Sequence, residues 1–305
     1  MDLSIIIINY KTPELTRECI DSLNRNVKGV SAEIILIDNN SQDHSAAYLK
    51  EIKSQIPLRI IINNDNKGFA KANNQGMKMA KGNYILLLNS DTVVKENIFS
   101  EMLAWMSARE KVGIVSCALR NKDGSLQGTG GSFPTLFKVF AWMFFLEDIP
   151  LLDSLIDPFH PMHASSPFYK GGGQFVKARE KDWVTGAFFL LKKELVREVG
   201  YFDEDYFMYT EEVDLCFRAK KKGWKVWYLP EWNIVHLGGA SSTSEFAIVN
   251  EYKGIKTFYK KNLPSWQMAP MRMCLKCGAI LRIILFGLLK GSKVAAIYVK
   301  AFQIA

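Results

Sequence analysis

The sequence predicts an α/β fold with a mostly parallel central sheet and helices on both faces, and three observations predict it. Short β-branched runs alternate with helix-like segments through the first 120 residues. Each of the first four runs ends in a cluster of Asn, Asp or Ser. The chain has 305 residues and is 48% hydrophobic, enough for one large domain or two modest ones.

The strand-like runs fall at 4–10, 32–40, 58–64, 83–91 and 112–120. Between the first two, 12–26 reads as a helix, with Thr12 at its N-cap and Pro13 in the first helical position, where a missing N–H costs nothing. A second helix spans 68–80, its lysines interleaved with small and apolar residues. Strand, helix, strand in this order implies right-handed crossovers and parallel pairing. Ligands then sit beyond the carboxyl ends of the strands. There the chain places Asn9 and Tyr10, Asp38 to Asn40, Asn63 to Asn66, and Asn89, Ser90 and Asp91. Asn and Asp are also ordinary turn residues, but four clusters on one rim predict a binding crevice. The glycine fingerprint of dinucleotide folds is absent, since the first strand runs into NYKTPEL.

Beyond 120 the texture changes to a turn at 121–124, a glycine-rich stretch at 128–134 and a very apolar segment at 136–159. Core, acceptor-binding wall and lipid-facing surface all fit that last segment. Residues 162–180, with three glycines at 171–173, read as a mobile loop. Regular structure resumes at 182–200 with a strand and a short helix. In YTEEVD, Thr210 is a candidate N-cap for a helix whose first turn holds Glu211, Glu212 and Asp214, acids that also suit the helix dipole.

The net charge of +8 is uneven: no Asp or Glu follows Glu251, whereas basic residues continue from Lys253 to Lys300. Residues 264–305 therefore form a basic tail, whose apolar run is interrupted by Arg282 and Lys290 and is too short and too charged for a membrane span. Lying on an anionic membrane surface suits it, as does capping the domain. No nucleic-acid-binding motif accompanies the charge. Five cysteines without a disulfide pattern, and an N-terminal MDLSIIII unlike a signal peptide, imply a reducing, cytoplasmic setting. Cys274 and Cys277 form a lone CxxC without the second pair a structural zinc site needs.

The pieces SIIIINYKT, IILIDNNSQD, NNDNKGFAKANNQG, YILLLNSDTVV, DWVTGAFFLLKK, FDEDYFMYTEEVDLCFRAKKKGW and VHLGGAS, in this order, resemble a family-two glycosyltransferase of the GT-A fold, close to rhamnosyltransferase-like members. The resemblance covers residues 3–263. It implies a nucleotide-sugar-binding half at 1–120 and an acceptor and catalytic half at 121–263. It also implies inverting transfer from dTDP-rhamnose or a UDP-sugar to a polysaccharide or lipid-linked glycan, with Mg2+ or Mn2+ as cofactor. Asn89-Ser90-Asp91 takes the place of the family's Asp-x-Asp signature, which makes Asp91 the metal ligand with Asn89 in place of the first Asp, and His236 its later partner. Asp38 and Tyr10 match the contacts to the base. Asn66, Gly68 and Asn73 match donor-binding positions, and a helix N-terminal glycine also suits an anion. Glu211 and Glu212 stand where the family has a Glu-Asp pair, with Glu212 as the base. Trp183 and Gly186 match the acceptor-side strand, where the Trp either stacks on a sugar or packs in the core. A degenerate, membrane-associated scaffold is the competing reading, raised by Asn89 and Glu212.

Overall fold

The structure, a computed structural model, describes residues 1–149, 156–160, 175–238 and 243–305. Its first half consists of β1 (Leu3–Asn9), α1 (Pro13–Asn26), β2 (Ala32–Asp38), α2 (Ser45–Lys50), β3 (Leu58–Ile62), α3 (Gly68–Met79), β4 (Tyr84–Asn89), β5 (Thr92–Val93), α4 (Phe99–Ser107) and β6 (Val112–Arg120). All five expected strands and both helices form. Strands β3, β2, β1 and β4 lie side by side in parallel, in that order. Successive side chains alternate between two cores: Ile6, Ile35 and Leu87 enter one, Ile5, Ile34 and Leu86 the other. A sheet covered on both faces therefore reads as unbroken apolar runs.

The second half adds β7 (Gly130–Gly131), α5 (Leu136–Met143), β8 (Arg179–Lys181), β9 (Trp183–Val184), β10 (Phe188–Lys192), α6 (Lys193–Val199), α7 (Glu211–Lys221) and β11 (Lys225–His236). Strand β10 inserts antiparallel between β4 and β6, and β11 pairs parallel with β6 and antiparallel with β5. Residues 162–174 of the expected loop lie outside the described residues. Its end is not loop, because Arg179 and Glu180 pair with β11. The apolar segment divides its roles: Val139, Ala141 and Met143 of α5 are buried, and Phe137 and Phe140 face outward.

Helices α8 (Ser244–Asn262), α9 (Met268–Lys290) and α10 (Ser292–Ile304) complete the chain. The tail folds as a hairpin turned at Gly291 (φ +88°). Met271, Leu275 and Ala279 of α9 are buried, and Gly278 is needed because a Cβ there would come within 2.6 Å of Met143. Arg282, read from sequence as a break in an apolar run, faces inward and donates to the carbonyls of Trp142 and Met143. It thereby caps the C-terminus of α5, where free carbonyls favour a cation. The opposite face of α9 carries Met273, Ile280, Ile284 and Leu288, at 64, 45, 55 and 81% exposure. Among the described residues, no helix is long and apolar enough to cross a membrane.

Candidate active site

Strand registry gathers the polar clusters. Asn9 pairs with Asp38, Asp38 with Ile62, and Ile8 with Asn89, so the four carboxyl ends share one rim. Behind β4 the chain turns through Ser90 and Asp91 into β5, whose Thr92 pairs with His236 of β11. That pairing brings the two expected metal ligands together across 145 positions of sequence, with Asp91 Oδ1 3.4 Å from His236 Nε2. Asn89 Nδ2 also lies 3.4 Å from Nε2.

A cavity of about 290 Å³ opens on this rim, lined by Tyr10, Asn39, Asn66, Gly68, Phe69, Asn89, Ser90 and Asp91 on one side and by Phe207, Met208, Thr243 and Phe246 on the other. Asn9, Asp38 and Asn73 lie beneath the wall, at 0, 2 and 1% exposure. Asn9 donates to Asp38 Oδ1 at 2.7 Å and accepts from Thr16 at 2.8 Å. Asp38 also accepts from the Ser41 hydroxyl at 2.5 Å, and Asn73 donates to the Phe69 carbonyl one turn back. These three side chains brace the loops that form the cavity. Thr12 holds its position before α1 without a side-chain cap, its hydroxyl lying 3.1 Å from Ser90 Oγ instead.

Gly68 lines the cavity for a reason other than the anion site expected from sequence. The N–H groups around it are already used: Lys67 donates to Asn39 Oδ1, Gly68 to Asn66 Oδ1 and Phe69 to the Phe207 carbonyl. Its φ is +76°, and a Cβ would come within 2.4 Å of Phe207 O. Glycine is required for close backbone approach.

A second cavity, of about 420 Å³, takes its lining from the next positions of the same segments, Tyr209 after Met208 and Ala247 after Phe246, together with Trp142, Glu147, His160, Trp183, Thr185, Thr210, Glu212, Glu251 and Arg282 among others. Gly186 lines neither cavity; it is buried against Phe69, which lines the first, and follows Thr185, which lines the second. Trp183 packs in the core at 7% exposure, its indole N–H donating to Ser132 O at 3.0 Å, and its ring also contributes wall to the second cavity. A third hollow, of about 620 Å³, shares Phe207, Met208, Thr243 and Phe246 with the first and is lined by neither Asp91 nor Glu212.

Tyr209 and Thr210 both adopt left-handed backbone (φ 71° and 75°) immediately before α7, an uncommon and costly arrangement for two consecutive non-glycine residues. Thr210 therefore occupies the N-cap position without a side-chain cap. The strained turn aims Glu212 into the second cavity and leaves Glu211 buried in the protein. Burial of the Glu212 carboxyl, whose Oε2 is shielded without a hydrogen-bond partner, pushes its pKa up to about 7. Burial, then the neighbouring Glu212, holds Glu211 well above the ordinary carboxylate range. Burial likewise raises Glu147 to about 8. It works against a charged His160, yet the contacting Glu251, with Glu147 and Glu212, holds that imidazole above its usual value.

Sequence reasoning missed Glu147, His160, Glu251 and Gln127. The last lies 2.7 Å from His236 Nδ1. It follows the carboxyl end of β6, on the same sheet edge as the other polar clusters, and that position is the signal that points to it. The other three come from distant segments and carry no spacing pattern. Asp91 and His236 offer a hard oxygen and an imidazole nitrogen, which suit Mg2+ or Mn2+ when phosphate oxygens and water complete the shell. Among the described residues, no group of three or more His, Cys, Asp or Glu is placed to hold a metal ion.

Known proteins agree with this architecture. The chain is 24% identical over 262 residues to N-acetylglucosaminyl-diphospho-decaprenol L-rhamnosyltransferase of Mycobacterium tuberculosis, covering 82% of this chain and 81% of the relative. It is 25% identical over 226 residues to the low-salt glycan biosynthesis hexosyltransferase Agl10 of Haloferax volcanii, covering 72% and 62%. In fold it is similar to a mannosyltransferase of Pyrobaculum calidifontis solved with GDP-Man and Mn2+, at TM-score 0.57 and 14% identity over 98% of this chain and 85% of that one. It is also similar to residues 1–349 of TarS from S. aureus solved with UDP, at TM-score 0.52 and 11% identity over 99% and 90%. The family profile described as glycosyl transferase family 2 matches residues 4–200, and the chain, with its GT-A fold, belongs to that family.

Proposed function

We propose that the chain is an inverting transferase that moves a sugar, rhamnose from dTDP-rhamnose or the sugar of a UDP donor, onto a polysaccharide or lipid-linked glycan. The observation that carries this reading is a pair of cavities, one walled by Asp91 and the other by Glu212, to which consecutive residues of the same segments contribute, Met208 and Phe246 to the first and Tyr209 and Ala247 to the second. The donor occupies the first, its nucleoside over Tyr10 and Asn66 and its diphosphate toward Asp91 and His236. A divalent cation held by Asp91 and His236 would offset the charge of the departing diphosphate. The acceptor hydroxyl enters through the second cavity beside Trp183 and loses its proton to Glu212 as its oxygen attacks the anomeric carbon. The C–O bond to the diphosphate breaks on the opposite face. Glu212 suits the base because it faces the cavity with a pKa near neutrality, whereas Glu211 is buried away from it, with its carboxyl pushed well above the ordinary range by burial.

The mycobacterial relative supports a rhamnosyl donor and a lipid-linked acceptor. The exposed apolar stripe on α9 supports action at the cytoplasmic face of a membrane. It lies in a segment without acidic residues, suited to anionic lipid.

Calorimetric titration with UDP and dTDP, each with Mn2+, Mg2+ or EDTA, tests the donor site. Metal-dependent binding that Asp91→Ala abolishes is expected, followed by transfer from the matching nucleotide-sugar. No binding of either nucleotide would sink the reading in favour of a scaffold that does not turn over.

A further inference from the structure

His236 is held by a chain of hydrogen bonds whose every direction is fixed by chemistry. It begins at the Asp123 carboxylate, which accepts from the Ser125 hydroxyl at 2.6 Å. Having spent its proton there, Ser125 Oγ accepts from Asn121 Nδ2 at 2.8 Å, which turns Asn121 Oδ1 toward Gln127. Gln127 Nε2 then donates twice, to Asn121 Oδ1 and to the backbone carbonyl of His236, both at 2.7 Å. With both amide protons used, Gln127 presents only Oε1 to His236 Nδ1 at 2.7 Å. The flipped amide would press its oxygen against two other oxygens at that distance, which rules it out. An oxygen facing Nδ1 requires the proton to be on Nδ1. The neutral ring therefore carries its lone pair on Nε2, which faces Asp91 Oδ1 at 3.4 Å. Asn89 Nδ2, also 3.4 Å from Nε2, can donate to that lone pair, as the Nδ1–H tautomer requires.

We propose that Gln127, anchored through Asn121 and Ser125 to Asp123, is a positioning residue that fixes His236 in its Nδ1–H tautomer and so delivers Nε2 to a divalent cation shared with Asp91. The cation half of this inference rests on the metal reading of the donor site; the tautomer half does not. Outer contacts of this kind orient a ligating imidazole, and their loss typically weakens metal binding about 10- to 100-fold.

The test is long-range 1H–15N correlation on the metal-free, full-length protein at a pH where the ring is neutral, with His236 assigned by its loss in His236→Ala. Only four histidines are present. The wild type is expected to show the Nδ1–H pattern. Gln127→Leu should lose that pattern and bind Mn2+ about 10- to 100-fold more weakly in the presence of UDP. Gln127→Glu, which keeps an acceptor opposite Nδ1, should retain it. An Nε2–H pattern in the wild type overturns the proposal even if Mn2+ binds, and that spectrum decides the matter should Gln127→Leu not fold. A Gln127→Leu protein with unchanged tautomer and Mn2+ affinity overturns it equally. An Nδ1–H wild type that takes up no Mn2+ overturns the cation half and the metal reading with it.

Discussion

Arg282 and Met143 stand 139 residues apart, yet the Arg282 guanidinium donates to the Met143 carbonyl at 2.6 Å. A second bond, of 2.8 Å, reaches Trp142 O, so one side chain from the tail closes the end of α5. Arg282 and Trp142 also line the cavity that holds Glu212. Arg282→Ala leaves two buried carbonyls without their donor and should destabilise the protein by about 2–3 kcal/mol. A urea midpoint equal to that of the wild type would show that the cap contributes nothing.

Transfer should depend on pH through Glu212. A base must be unprotonated, and its pKa lies at about 7, so turnover should fall roughly tenfold per unit as pH drops below that value. Glu212→Gln should lower turnover by about 10²- to 10⁴-fold and flatten the profile. Glu211→Gln should cost much less, since Glu211 is buried and lines neither cavity. Equal losses in the two variants would contradict the assignment of Glu212 as base.

Glu147 links pH to stability in the opposite sense from an ordinary paired carboxylate. Its pKa rises from 4.5 to about 8, chiefly through burial, so the folded state holds a proton that the unfolded chain has released. Stability contributed by that proton falls as pH rises from about 4.5 to about 8. His160, raised above its ordinary value, adds a decline of the same sign as it loses its own proton. Glu147→Gln should therefore narrow, without abolishing, the difference between urea midpoints measured at about pH 5.5 and about pH 8.5. An undiminished difference would place the titration elsewhere.

The outward face of α9 gives a prediction about membranes. Ile284→Asp combined with Leu288→Asp places charge at two positions that are 55 and 81% exposed, where no core packing is lost. Flotation with anionic vesicles should weaken about tenfold or more, and added salt should weaken wild-type binding through screening. Unchanged flotation would exclude this face as the docking surface.

The strands and helices of the first 120 residues were legible because apolar runs, Pro13 and the polar strand ends each act locally. The insertion of β10 between β4 and β6 was not, since an apolar run does not encode direction or neighbour. In the site, motif order pointed to Asp91 and His236, which the fold sets 3.4 Å apart, and the strand ends pointed equally to Asn9 and Asp38, whose side chains turn toward each other beneath the cavity wall, an orientation that residue type does not encode. Arg282 misled in a similar way. Its charge looked like a break because the carbonyls it serves belong to a helix more than a hundred residues earlier.

The placement of β10 also bears on synthesis. Strand β4 lacks one neighbour until the ribosome has released the chain as far as Lys192, and β6 lacks both of its own, β10 and the still later β11. A nascent chain that already contains the polar strand ends of β1 to β4 still presents an open edge of β4 and an unpaired β6, both rich in Leu, Ile and Val, the kind that recruit other chains. Truncation before Phe188 would leave those strands permanently unpaired, so such a fragment is expected to aggregate where the full chain stays in solution.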